Sequence, residues 1–123
     1  MIAVGTFDVN LAAQNDETAP VGRMLIDKTY TGALAGKGVG QMISKRTENG
    51  IAVYFAIEEF EGSLANKKGG FTLLHKGEMS AAGQSLDITI LTGSGSHDLR
   101  DISGKMRIIQ QEGKHSYELE YHL

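Results

Sequence analysis

Apolar and polar residues alternate along most of this chain, and glycine interrupts the alternation at short intervals. A period of two marks a half-buried strand, whose side chains point to opposite faces in turn. No convincing helical stripe of apolar positions competes with it. Eight strands are expected, near residues 2–11, 23–34, 37–46, 51–61, 70–78, 84–92, 103–111 and 115–123. Turn chemistry separates them. Asn49-Gly50 is a hairpin signal because both residues tolerate positive φ. The stretch from Asn66 to Gly70, Ala81-Ala82-Gly83 and Glu112-Gly113-Lys114 read as further tight turns. Two longer polar links remain, 12–22 with the only proline and 93–104, where one helical turn near Asp98–Ile102 is expected. The basic pairs Lys45-Arg46 and Lys67-Lys68 lie in polar, turn-like stretches and read as solvated loops.

A meander of eight strands leaves two unpaired edges unless it closes on itself. An eight-stranded barrel removes both edges and is just wide enough to be filled by side chains or to hold one small ligand. Closure needs bends. Sixteen of the 123 residues are glycine. Several of these, Gly5, Gly32, Gly36, Gly38, Gly40 and Gly77, fall inside strands, where they allow the sheet to curve. The expected fold is therefore all-β: one domain over residues 1–123, an antiparallel up-and-down barrel of the calycin-like kind. A two-sheet sandwich is the alternative.

Alternation also assigns faces. Gly5, Phe7, Val9 and Leu11 point inward from the first strand, Leu86, Ile88 and Ile90 from the sixth, and Tyr117, Leu119, Tyr121 and Leu123 from the last. Three other strands carry a polar residue on the inward face. Lys28 shares its face with Met24, Ile26 and Tyr30, Glu58 with Tyr54, Ala56 and Phe60, and His75 with Phe71, Leu73 and Met79. Unpaired buried charge is very costly. A Lys28–Glu58 pair, hydrogen-bonded to His75 or a tyrosine, would offset much of that cost. An interior lined by aromatics and a few converging polar groups is the usual form of a small-molecule site. The candidate ligand-facing residues are Lys28, Tyr30, Tyr54, Glu58, His75, Tyr117 and Tyr121. The fourth strand is apolar on both faces, so the inverted assignment, with Glu58 on the surface, stays open.

Other patterns carry less chemistry. Gly93-Ser94-Gly95-Ser96-His97-Asp98 has no Gly-Lys-Ser/Thr of a phosphate-binding loop and no strand-to-helix elbow. Three consecutive residues on an extended segment cannot converge as a Ser-His-Asp triad. The four histidines show no metal spacing, and Gly36-Lys37-Gly38-Val39-Gly40 lacks the helix that dinucleotide binding needs. No metal, cofactor or catalytic residue is expected. Twelve basic against fifteen acidic residues give a net charge of −3, which argues against a nucleic-acid partner. No run approaches a membrane span and no basic n-region opens the chain, so the cytoplasm is the expected compartment, without a membrane partner. The second apolar face of the fourth strand, Val53, Phe55 and Ile57, points to a homo-oligomer, most simply a dimer.

Four segments carry a family resemblance. They are Gly22-Arg23-Met24 through Lys28-Thr29-Tyr30-Thr31-Gly32, Glu58 through Gly69-Gly70-Phe71-Thr72-Leu73-Leu74-His75-Lys76-Gly77-Glu78-Met79, Gly93-Ser94-Gly95 through Leu99 and Ser103-Gly104, and the ending from Gly113 to Leu123. Together they resemble a bacterial family of small proteins, the domain-of-unknown-function family 3224. The resemblance implies a closed eight-stranded barrel similar to that of allene oxide cyclase, and no assigned activity. The family pattern matches at Lys28, Glu58, His75, His115, Tyr117 and Tyr121. It departs at Ser96-His97, where a threonine-glycine pair is expected. Likeness of barrels does not transfer a reaction. Three functions stay open: binding of a small, partly apolar ligand in the interior, a cyclase- or isomerase-type reaction using Glu58 and His75, and an oligomeric scaffold.

Overall fold

The computed structural model describes residues 1–123. Eight strands run in order: β1 (Ile2–Ala13), β2 (Gly22–Gly32), β3 (Leu34–Arg46), β4 (Ala52–Leu64), β5 (Lys67–Ser80), β6 (Gly83–Ile90), β7 (Ser103–Gln111) and β8 (Lys114–His122). Each pairs antiparallel with the next, and β8 returns to β1 from Ile2↔Glu120 to Phe7↔His115. The result is a closed up-and-down barrel rather than a sandwich. The only helical element is a 3₁₀ turn at His97–Leu99, within the link where a helical turn is expected. No helix is long and apolar enough to cross a membrane.

β1, β3, β4 and β5 reach further than their sequence signals, because hairpin pairing continues past the apolar stretch, whereas β2 and β6 stop two residues short of theirs. Ala65 and Asn66 take positive φ, 49° and 71°, so the β4–β5 turn is one step earlier than expected. Lys67 and Lys68 are consequently exposed strand residues of β5, not loop residues. The β3–β4 connection also differs from the expected two-residue turn. Only Gly50 adopts positive φ there, at 83°, and Thr47 bridges the loop by bonding to Gly50 and Ile51.

Pairing is uneven around the ring. β4 and β5 pair from Ala52↔Met79 to Leu64↔Lys67. β6 and β7 share only Ile88↔Met106 and Thr89↔Lys105, then diverge toward one end of the barrel. The other end is sealed. There the long β6–β7 link folds back against β5, and Leu99 and Ile102 insert fully buried beside Leu34, Leu64 and Phe71. Ser94 and Ser96 stand in for the missing neighbour strand, their hydroxyls accepting the Thr72 and Gly70 amides at 2.9 Å each. This also buries Thr72, although its side chain points outward, onto the Glu59 carboxylate.

Alternation predicts direction but not depth. Phe7, Ile88, Ile90, Tyr117, Leu119 and Tyr121 are buried as their strand faces require. Leu11, Leu86, Met79 and Leu123 share the inward faces but are 39–53% exposed: Leu11 and Met79 lie near strand ends, Leu123 follows the end of β8, and Leu86 lies where β6 has no β7 partner.

Candidate functional site

The middle of the barrel holds a polar knot. Glu58 of β4 faces inward and is completely buried, so the inverted assignment of β4 does not hold. Lys28 Nζ of β2 donates to Glu58 Oε1 at 3.0 Å, and His75 Nε2 of β5 lies 2.8 Å from the same oxygen. The Tyr30 hydroxyl donates to Glu58 Oε2 at 2.5 Å. An ionised carboxylate only accepts, which fixes a hydrogen on His75 Nε2. Lys28 Nζ also lies 4.8 Å from the centre of the Phe7 ring, a cation–π contact. Phe7 stacks in turn on His115 at 5.2 Å.

Backbone shape makes the knot possible. Gly38 of β3 pairs with Lys28 on one side and Phe60 on the other. A Cβ at Gly38 would collide with Glu58 Oε2 and the Tyr30 ring, so the carboxylate occupies space that any other residue would fill. Burial by itself raises the Glu58 pKa. The His75 hydrogen bond, the Lys28 charge and the Tyr30 hydrogen bond outweigh it and lower the carboxyl to about 2. Tyr30 is driven the other way, by burial first and by the neighbouring Glu58 charge second.

The remaining candidates make no hydrogen bond to the knot, although the Tyr117 ring packs edge-on against Tyr30 at 5.6 Å. Tyr117 is buried against the β2–β3 turn, where its hydroxyl accepts from the Leu34 amide at 2.9 Å and lies 3.0 and 3.1 Å from the Leu34 and Thr31 carbonyls. Tyr121 belongs to the sealed end, where its backbone pairs with Met1. Tyr54 lies at the open end, its ring over Gly77, where a Cβ would overlap it.

At that open end the mouth-side residues of β3 to β6, with Ile108 of β7, line a cavity of about 400 Å³. Met42, Tyr54, Met79, Leu86 and Ile108 give it an apolar lining. Ser44, Lys45, Arg46, Glu78 and Gln84 add polar groups. Lys28, Tyr30 and Glu58 line none of the larger cavities, so the knot's polar groups are spent on one another. Face assignment reached Tyr54, Met79 and Leu86 in the sequence. It missed Met42 and Ile108, since a glycine-broken β3 and a β7 apolar on both faces give no clear alternation.

The model of the family described as "Protein of unknown function (DUF3224)" matches residues 3–121. The protein belongs to the DUF3224 family. A crystal structure of a DUF3224 protein of unknown function from Shewanella oneidensis MR-1 is similar to this chain at 34% identity, with a TM-score of 0.92. The similarity covers 99% of this chain and 96% of that one. No curated protein matches. Within this DUF3224 barrel, Lys28, Tyr30 and His75 converge on the Glu58 carboxylate, while the hydroxyls of Tyr54, Tyr117 and Tyr121 make no bond to it.

Proposed function

We propose that this DUF3224 barrel binds a small, partly apolar molecule at its open mouth rather than at the buried knot. The observation that carries the reading is the mouth cavity of about 400 Å³, lined by the mouth ends of β3 to β6 and by Ile108 of β7, within the usual size range of ligand pockets. Its lining fits a molecule with an apolar body and a carboxylate or carbonyl. The body would lie against Met42, Tyr54 and Leu86, and the polar group would meet Lys45 or Arg46 at the rim. Lys28 is a poor anchor for that group, because Glu58 already holds its ammonium.

An acid–base reaction through Glu58 and His75 has their 2.8 Å contact in its favour. It is the weaker reading for two reasons. A general base works best with a pKa near the operating pH, and the Glu58 carboxyl is held at about 2. Glu58 also faces no cavity where a substrate could reach it.

The test uses decanoate and an anionic naphthalene fluorophore, titrated against the protein and followed by calorimetry and fluorescence. Leu86→Trp should fill the mouth and abolish binding of both while leaving the circular dichroism and melting curve unchanged. Ile57→Lys, on the outer face, should leave decanoate binding intact. Undiminished binding by Leu86→Trp, or no binding by the unmodified protein, would overturn the reading.

A further inference from the structure

We propose that two copies of this chain associate face to face through the outer surface of β2–β5, about a two-fold axis that runs across the strands. The strand register lays the outward residues out in rows. Leu25, Gln41, Ile57 and Leu74 form a central row across the four strands. Toward the mouth lies the row Arg23, Ile43, Phe55 and Lys76, and toward the sealed end the row Asp27, Val39, Glu59 and Thr72. The apolar members are unusually open to solvent: Leu25 45%, Val39 53%, Ile43 42%, Phe55 46% and Ile57 56%. They border a continuous outer groove of about 800 Å³, the largest concavity described on the molecule. A contiguous apolar face of this kind on a strand-paired surface marks an interaction site.

The charges around it name the occupant. Lys45 and Lys76 stand on the mouth side of the central row with Glu78, which shares the row of Lys45; none makes an ion pair, which leaves that side with a net positive charge. Glu59 and Glu61 stand on the sealed side and make none either. Asp27 and Lys37 neutralise each other at 2.6 Å, and Arg23 is held by Asp16 at 3.1 Å. The face thus carries unspent positive charge on one side of an apolar row and unspent negative charge on the other. Such a surface is complementary to itself. In an isologous dimer each residue meets its symmetry-related counterpart, so charge polarity selects the axis. An axis along the central row stacks Leu25 and Ile57 on their own copies and lays Ile43 on Val39 of the partner subunit. It also brings Lys76 beside Glu59 of the partner subunit. An axis parallel to the strands would instead set Lys76 against Arg23 of the partner subunit, which Asp16 already holds, and would bring Lys76 no free carboxylate. Four strands at about 4.8 Å and five outward residues at about 6.7 Å give a face of roughly 19 by 27 Å. That flat area, roughly 500 Å², reaches with the relief of its side chains the low end of stable interfaces, about 600 Å² per partner.

Sedimentation equilibrium and light scattering on the full chain, at micromolar to submillimolar concentration, test the proposal. The unmodified protein should run at twice the chain mass. Ile57→Lys should give monomers with an unchanged melting curve at low concentration. Lys76→Glu should weaken the dimer by roughly tenfold or more, and Lys76→Glu combined with Glu59→Lys should restore it. A monomer throughout the concentration range would overturn the proposal, even if the groove then binds an apolar dye. So would a dimer indifferent to Ile57→Lys. A dimer that Lys76→Glu weakens but the double exchange does not rescue would overturn the axis. None of these outcomes depends on ligand binding at the mouth.

Discussion

The two ends of the barrel are made from the same alternating strands, and they finish differently because of what connects them. At the sealed end, the 91–102 link carries Leu99 and Ile102 into the core and lends two serine hydroxyls to the edge of β5. At the mouth, three short hairpins and the longer polar β1–β2 link contribute no buried apolar side chain, and the two-pair seam between β6 and β7 lets the strands part. Within the strands, apolar side chains directed inward are therefore buried at the sealed end, and several at the mouth, Leu11, Met79 and Leu86, are half-exposed. Burial follows closure, which depends on the connections as well as on the pattern within each strand.

The largest effect should come from the knot that separates the ends. Lys28→Met leaves Glu58 buried without its cation and should cost about 3–5 kcal/mol in urea unfolding. Lys28→Met with Glu58→Leu should recover part of that loss, and a double variant no more stable than Lys28→Met alone would show that Lys28 and Glu58 are not energetically coupled. The ends themselves should split next. Leu99→Ala removes a fully buried side chain from the sealed end and should cost about 2–5 kcal/mol. Leu86→Ala, at the mouth, should cost less than about 1 kcal/mol, since its side chain is 39% exposed. Equal losses would mean that the mouth is closed in solution.

Acid should act on the knot in a defined window. The Glu58 pKa falls from 4.5 to about 2 on folding. A depressed carboxylate contributes stability that is fully present above its unfolded pKa and is lost as pH falls toward the folded one. The melting temperature should therefore drop between pH 4.5 and 2, and Glu58→Gln should flatten that part of the profile. A parallel profile for the variant would place the acid sensitivity elsewhere. The smallest effect belongs to the sealing link. His97 adopts φ 52°, a region that favours glycine, at the point where the family resemblance leads one to expect glycine. His97→Gly should raise stability by about 1 kcal/mol or less, read as a small gain in melting temperature. A loss would mean that the His97 side chain contributes more than its backbone strain costs.

Much of this was legible in the sequence. Period two placed all eight strands, interior glycines pointed to closure, and face counting put Lys28, Glu58 and His75 in one interior. The pairing of Lys28 with Glu58 followed from the cost of burying either alone. Other features were not legible, for physical reasons. Tyr117 shares the inward face with Tyr121, yet its hydroxyl serves a turn 83 residues away in sequence, a contact set by register around the ring. Thr72 is outward and buried because a distant link covers it. Leu99 and Ile102 lie in a polar stretch with no period, so nothing local marks them as core. Exposure of Leu11 and Leu86 depends on position along the barrel axis, which alternation does not encode.

The junction of β1 with β8 has a kinetic consequence. Every other strand pair joins neighbours in the chain, whereas this one brings Ile2 opposite Glu120. Loop-closure entropy grows only slowly with length, so the junction costs little extra free energy. It is nonetheless the least local contact in the molecule, and such contacts slow folding. During folding, a nearly complete meander would therefore wait with two bare strand edges before the ring shuts. In that interval Ile2 and Val4 on one edge can recruit the β8 of another chain as readily as their own. Crowded refolding should accordingly favour strand-exchanged oligomers over the closed barrel.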